Sequence, residues 1–190
     1  DDDQAYAIIL TTNTGLTDDD SGYENADPDD VSVTNEDNDT AGISLAAISN
    51  NTAEDGTTAT FDVVLDTEPT EDVTVTFLTD DATEGTVTDP VGKSLTFTSA
   101  NWDTPQAITV TGQDDDIDDG DIAYNIDMSA ASSSDPKYNG NFASSVAITN
   151  DDDDTAGFTV SAISNNTGED GTTATFNVRL NSKPSTDDTD

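Results

Sequence analysis

The chain contains no cysteine and no histidine, and its basic residues are only Lys93, Lys137, Arg179 and Lys183. These absences exclude disulfides, Cys/His zinc sites, cysteine nucleophiles and histidine general bases. Against the four bases stand 42 acidic residues, for a net charge of -38. Nucleic-acid phosphates would be repelled, so nucleic acid is not an expected partner. Adhesion to an anionic membrane through charge is excluded on the same ground. No apolar run approaches the roughly 20 residues of a membrane-spanning helix, and no membrane insertion of this segment is expected. A signal peptide is not visible either, although a segment from inside a longer protein would lack one in any case. Aromatic residues make up 6% of the chain, with a single tryptophan, Trp102. Low hydrophobicity combined with such a charge implies disorder, unless the few apolar residues are arranged to form a core.

They are so arranged. Period-two alternation puts Ala59, Phe61, Val63 and Leu65 on one face of Thr58–Leu65, and Val73, Val75 and Phe77 on one face of the next segment. Further strands read from Ile43 and Leu45, Leu95 and Phe97, Ile108 and Val110, Ile122 to Met128, and Val146 and Ile148. Threonine fills many outward positions, as suits a solvated strand face. No segment carries a sustained helical stripe. Glu54-Asp55-Gly56 and Asp119-Gly120 mark turns before strands. About seven short strands per repeat predict an all-β fold, an antiparallel β-sandwich. Trp102, between two strands, is expected to cap one end of its core.

A long internal repeat organises the chain. Ala47-Ile48-Ser49-Asn50-Asn51-Thr52 returns as Ala162-Ile163-Ser164-Asn165-Asn166-Thr167, 115 residues on. Glu54 to Phe61 returns as Glu169 to Phe176 without change, and Asn35 to Gly42 corresponds to Asn150 to Gly157. Ala5, Tyr6 and Ile8 echo Ala123, Tyr124 and Ile126, about three residues out of step. A period of this length is a whole domain rather than a solenoid unit. Residues 1–40 read as the tail of one repeat, 41–155 as a complete repeat and 156–190 as the head of the next.

Acid is concentrated at predicted strand ends: Asp1–Asp3, Asp18–Asp20, Glu36–Asp39, Glu54–Asp55, Asp80–Asp81, Asp114–Asp121 and Asp151–Asp154. Two like charges about 6 Å apart in water repel by roughly 0.7 kcal/mol, so such clusters are costly unless bridged. Hard oxygen ligands at this density suit Ca²⁺, which takes six to eight oxygens in irregular geometry; Mg²⁺ fits less well. Asp114, Asp116 and Asp118 have the 1-3-5 spacing of an EF-hand loop. Asp119 stands where that loop needs glycine, Asn125 where it needs a bidentate Glu, and the flanks are strands, so an EF-hand is rejected. Ligands would have to converge from separate loops, with the linker run Asp151–Asp154 joining them. The competing reading is a solvated acidic surface of a salt-loving organism's protein, which outward residues such as Asp62 and Asp127 fit.

The order Glu54-Asp55-Gly56-x-x-Ala59-x-Phe61, Leu95-Thr96-Phe97-x-x-x-x-Trp102 and Asp114-Asp115-Asp116-x-Asp118-Asp119-Gly120 resembles Calx-β-like repeats of large bacterial surface proteins. Tyr138-Asn139-Gly140 and the linker Asn150-x-Asp152-x-Asp154-Thr155-Ala156-Gly157 complete the likeness. The resemblance implies an immunoglobulin-like sandwich holding Ca²⁺ at its distal loops and interdomain linker. The implied ligands are Glu54, Asp80 or Asp81, then Asp114, Asp115 and Asp116, then Asp151, Asp152 and Asp153. Asp118 lies in the same acidic run and is a further candidate. By repetition, Glu169 opens the next set and Glu36, Asp37 and Asp39 close the previous one. The usual turn before the mid-domain ligand is replaced by Asp80-Asp81-Ala82-Thr83-Glu84-Gly85.

The expected function is a non-enzymatic spacer in a long extracellular bacterial adhesin or filament, stiffened by Ca²⁺. Its expected partners are neighbouring repeats of the same chain and identical chains in a filament. Direct binding to polysaccharide, ice or a cell surface is the alternative, with Thr58, Thr60, Thr74 and Thr76 as the row to inspect. Neither partial repeat has enough strands to close a sandwich alone, and exposed sheet edges invite pairing with another chain.

Overall fold

The computed structural model describes residues 3–11 and 27–185. Two compact units divide the chain after Thr40, and each is described by itself. The acidic runs Asp1–Asp3 and Asp18–Asp20 fall wholly or partly outside the described residues. Among those residues there are strands and no helix.

In the first unit β1 (Gln4–Ile8) pairs antiparallel with β2 (Val31–Asn35), placing Tyr6 opposite Val33. In the second, β3 (Ile43–Leu45), β4 (Thr52–Ala53) and β5 (Thr58–Leu65) come first. They are followed by β6 (Val73–Thr79), β7 (Gly85–Asp89), β8 (Ser94–Phe97) and β9 (Gln106–Gly112). Then come β10 (Ile122–Met128), β11 (Ser132–Ser133) and β12 (Val146–Asp151), and finally β13 (Phe158–Val160) and β14 (Val178–Leu180). One sheet runs β3-β5-β9-β7; the other runs β11-β6-β10-β12-β4, with β8 also on β6. The two share one core, an arrangement consistent with a β-sandwich.

The alternation read from the sequence decides which side chains enter that core. Ala59, Phe61, Val63 and Leu65 are buried in β5, while Thr58, Thr60 and Asp62 are exposed. Val73, Val75 and Phe77 face them from β6, and the Phe61 and Phe77 rings meet edge to face at 5.9 Å. Full burial of side chains of this size contributes about 1.5–3 kcal/mol each. Trp102 packs on this core half-buried, and its carbonyl accepts the Leu65 N–H at 3.1 Å. Tyr138 is also buried; its hydroxyl donates to the Thr67 carbonyl and accepts the Thr67 N–H. Outward threonines pair across strands, Thr88 with Thr111 at 2.9 Å and Thr74 with Thr96 at 3.2 Å, as ordinary cross-strand partners do.

Two details differ from the expected pattern of about seven antiparallel strands. Residues 41–155 carry ten strands, because β11 and β4 are two-residue additions and the first edge is split. After β3 the chain leaves β5, crosses to the other sheet, and runs as β4 parallel to β12, Thr52 beside Asn150. That is a parallel pair within an otherwise antiparallel fold.

The sequence echo recurs as hydrogen bonds. Asp66 N–H donates to the Gly42 carbonyl at 3.0 Å, and Asn181 N–H to the Gly157 carbonyl at 2.9 Å. Ser44 Oγ reaches Asp66 Oδ1 at 2.6 Å, and Thr159 Oγ1 reaches Asn181 Oδ1 at 2.6 Å. Asp37 N–H donates to Asp3 Oδ1 at 2.8 Å, as Asp152 N–H does to Asp121 Oδ1 at 3.2 Å. Burial is what differs: Phe61 is 2% exposed and its counterpart Phe176 is 59% exposed.

That contrast gives a direct test. Phe77→Ala is expected to cost about 3–5 kcal/mol of stability, whereas Phe176→Ala changes it by less than about 0.5 kcal/mol. Urea unfolding followed by the fluorescence of Trp102 measures both, and equal losses would contradict this core assignment.

Candidate metal centre

The parallel seam between β4 and β12 builds the site. Thr52, fully buried, shares a hydroxyl hydrogen bond with Tyr124 at 2.9 Å and anchors the start of β4. One residue beyond β4, the Glu54 N–H donates to the Asp151 carbonyl at 3.1 Å. Asn51 Nδ2 donates to Asp151 Oδ1 at 2.9 Å. β4 can run this close only because residue 112 is glycine, since a Cβ there would overlap the Ala53 carbonyl. Glu54 is thereby carried to the end of β12, where it is 5% exposed. Asp55 and Gly56 then turn the chain into β5, with Asp55 accepting the Thr57 N–H and Gly56 at φ 85°.

Two acidic segments close around Glu54. Carboxylate oxygens of Glu54, Asp114 and Asp153 lie within 4.8 Å of one another, and so do those of Glu54, Asp152 and Asp154. Glu54 belongs to both groups. The Asp153 N–H points to Glu54 Oε2 at 3.4 Å. Asp152 is held by the N–H groups of Gly120 at 2.7 Å and Asp154 at 2.8 Å. In the 113–121 loop, Asp115 accepts the Ile117 N–H at 2.6 Å and Asp118 accepts the Ala156 N–H at 2.6 Å. The Asp116 carbonyl accepts the Lys183 N–H, so the loop also ties to the chain beyond residue 155.

Charge is disfavoured here. Burial pushes the Glu54 carboxyl up from 4.5 to about 7; Asp152, Asp115 and Asp119 add to the rise, and the Asp153 N–H opposes it. Burial is also the first cause raising Glu84, Asp119 and Asp154, followed for Asp154 by the charges of Asp116, Asp152, Asp153 and Asp114. Asp152 goes the other way, lowered by the Asp154 and Gly120 N–H groups. No lysine or arginine is among the groups that shift these carboxyls. Asp154 Oδ2 is a buried oxygen with no hydrogen-bond partner. Two charges 4.8 Å apart repel by about 0.9 kcal/mol in bulk water and by about 3.5 kcal/mol at the effective dielectric of 20 typical near a surface. All-oxygen donors, mutual repulsion and an unpartnered buried oxygen together fit a hard cation.

The structure sorts the expected ligands. Glu54, Asp114, Asp152 and Asp153 converge; Asp115 and Asp116 lie close enough to raise the carboxyls at the centre. Asp118 and Asp151 are engaged in loop and seam hydrogen bonds. Asp80 binds Asn125 through N–H at 2.7 Å and Nδ2 at 2.8 Å, a tie between β6 and β10 that holds its carboxyl below the usual range. Asp81 accepts the Thr83 N–H at 3.0 Å, yet its charge reaches Glu84. Glu36, Asp37 and Asp39 lie in the other unit, where Asp39 N–H bonds Asp37 Oδ1 at 3.1 Å. Glu169, the counterpart of Glu54, is exposed. Sequence reasoning missed Asp154, Asp119 and Glu84. The first two sit inside runs already singled out; Glu84 is an isolated acid before β7 with no pattern to mark it. Compared with protein-family models and with curated proteins, the sequence has no significant match.

A pH dependence follows. Between the unfolded value near 4.5 and the folded value of about 7, the native Glu54 keeps a proton that the unfolded chain has lost. Stability conferred by this group therefore falls as pH rises through that window. Glu84, Asp119 and Asp154 act with the same sign. In chelator-treated buffer the urea midpoint is expected to rise on acidification from about pH 7 to about pH 5, and to rise less in Glu54→Gln. A midpoint that falls over that interval would contradict this electrostatic picture.

Proposed function

We propose that this chain is a non-enzymatic spacer of a long extracellular bacterial adhesin or filament, built from tandem immunoglobulin-like β-sandwich repeats of Calx-β type and stiffened by Ca²⁺. The carrying observation is the convergence of Glu54 with Asp114 and Asp153, and with Asp152 and Asp154, where the complete repeat runs into its linker. One ion or two bound there would replace repulsion among these carboxylates by attraction. It would join the end of β4, the 113–121 loop and the residues after β12. Ala156 and Lys183, already bonded to that loop, would be fixed with it.

Such an ion binds the folded linker and hardly the unfolded chain, so it stabilises by mass action. Strands rising about 3.3 Å per residue give each repeat a length of roughly 40 Å with its loops, so tandem copies supply reach. Extracellular modules bind calcium with dissociation constants of about 10⁻⁴–10⁻³ M, which suits permanent occupancy where calcium is plentiful.

Calcium is expected to raise the melting temperature by several degrees, since saturation at 100 times the dissociation constant is worth about 2.7 kcal/mol. Small-angle scattering should show a narrower, longer distance distribution with calcium than with chelator, and Glu54→Gln should abolish both responses. An unchanged melting temperature and scattering profile would sink the calcium strut.

A further inference from the structure

We propose that residues 156–185 of one copy dock on residues 1–40 of a second copy, re-forming between two chains the parallel seam that joins β4 to β12 within one. The observation behind this is a pair of unpartnered apolar faces whose natural cover is displayed elsewhere in the same molecule. On β13 and β14, Phe158, Val178 and Leu180 are 72%, 54% and 47% exposed. They stand in the register of Ile43, Val63 and Leu65, with Phe158 opposite Leu180 as Ile43 is opposite Leu65. On β1 and β2, Tyr6 and Ile8 are 54% and 48% exposed. They stand in the register of Tyr124 and Ile126, which are buried.

Within residues 41–155 these two kinds of face line one core and are stitched by β4 and β12. The stitching residues have counterparts on the free halves. Thr52, which bonds Tyr124, corresponds to Thr167, and Tyr124 to Tyr6. Glu54, whose N–H bonds the Asp151 carbonyl, corresponds to Glu169, and Asp151 to Glu36. Each half thus carries the groups that the other half lacks.

The contact is heterologous and does not close, so copies add head to tail into an open line. It has no counterparts of β7, β8 and β9, and so it is a reversible, concentration-dependent association. Repulsion between acidic copies is screened beyond about 8 Å at physiological salt. The inference shares with the spacer reading only the repeat register and needs no cation, so association that persists in chelator supports it even where calcium binding fails.

The absence of cysteine makes the test clean. Asn35 and Thr167 correspond to Asn150 and Thr52, which are adjacent in the parallel register. Neighbouring strands lie within disulfide reach. Full chains carrying Asn35→Cys and Thr167→Cys singly, mixed with oxidised glutathione, are expected to give the mixed dimer in at least tenfold excess over either homodimer on a non-reducing gel. Adding Phe176→Asp to the Thr167→Cys chain, or Tyr6→Asp to the Asn35→Cys chain, should remove that preference. Wild-type chain should show a mass that grows with concentration in sedimentation equilibrium. A monomer at every concentration, or equal yields of mixed and like dimers, would overturn the proposal.

Discussion

The short parallel contact between β4 and β12 is the constraint on which the rest depends. Two residues, Thr52 and Ala53, leave the sheet begun by β3 and join the opposite one. That crossing closes the core on one side and places Glu54 against the linker. It requires a glycine at 112 and a small hydroxyl at 52 hydrogen-bonded to Tyr124. A buried carboxyl is thus held beside five other acids by backbone geometry rather than by any attraction among the side chains. The fold stabilises an arrangement that its own charges oppose.

Much of the fold was legible because the sequence keeps a strict period of two. Every strand read from alternation, from Ile43 to Ile148, is a strand, and the residues assigned inward on β5 and β6 are buried. Two-residue strands leave no period to read, so β4 and β11 were invisible. β7, which opens on Gly85 and carries a register shift between Val87 and Asp89, offered too few apolar positions. The parallel pairing of β4 was illegible for the same reason: long-range contact between residues 52 and 150 leaves no local mark.

The site was legible in outline. Acidic runs at strand ends pointed to the loops that do converge, and the repeated Glu-Asp-Gly pointed to Glu54. Sequence alone could not tell acids that gather from acids spent on hydrogen bonds. Asp80 clasps Asn125 and Asp135, although buried, is satisfied by the Thr70 and Lys137 N–H groups. Asp154, by contrast, has an oxygen that nothing in the protein satisfies. Those differences arise from strand register and loop path, which spacing does not encode.

A molecule this acidic gains rigidity at its seams only through an external positive charge. Without one, the carboxylates beside Glu54 either hold protons or strain the loops apart; with one, the same carboxylates become the joint. The central measurement is calorimetric titration of the 190-residue chain with calcium at fixed ionic strength, alongside Glu54→Gln. The account predicts saturable binding at a fixed number of sites, lost in the variant and not reproduced by matched sodium chloride. Heats that are non-saturable, or identical in the variant, would contradict it.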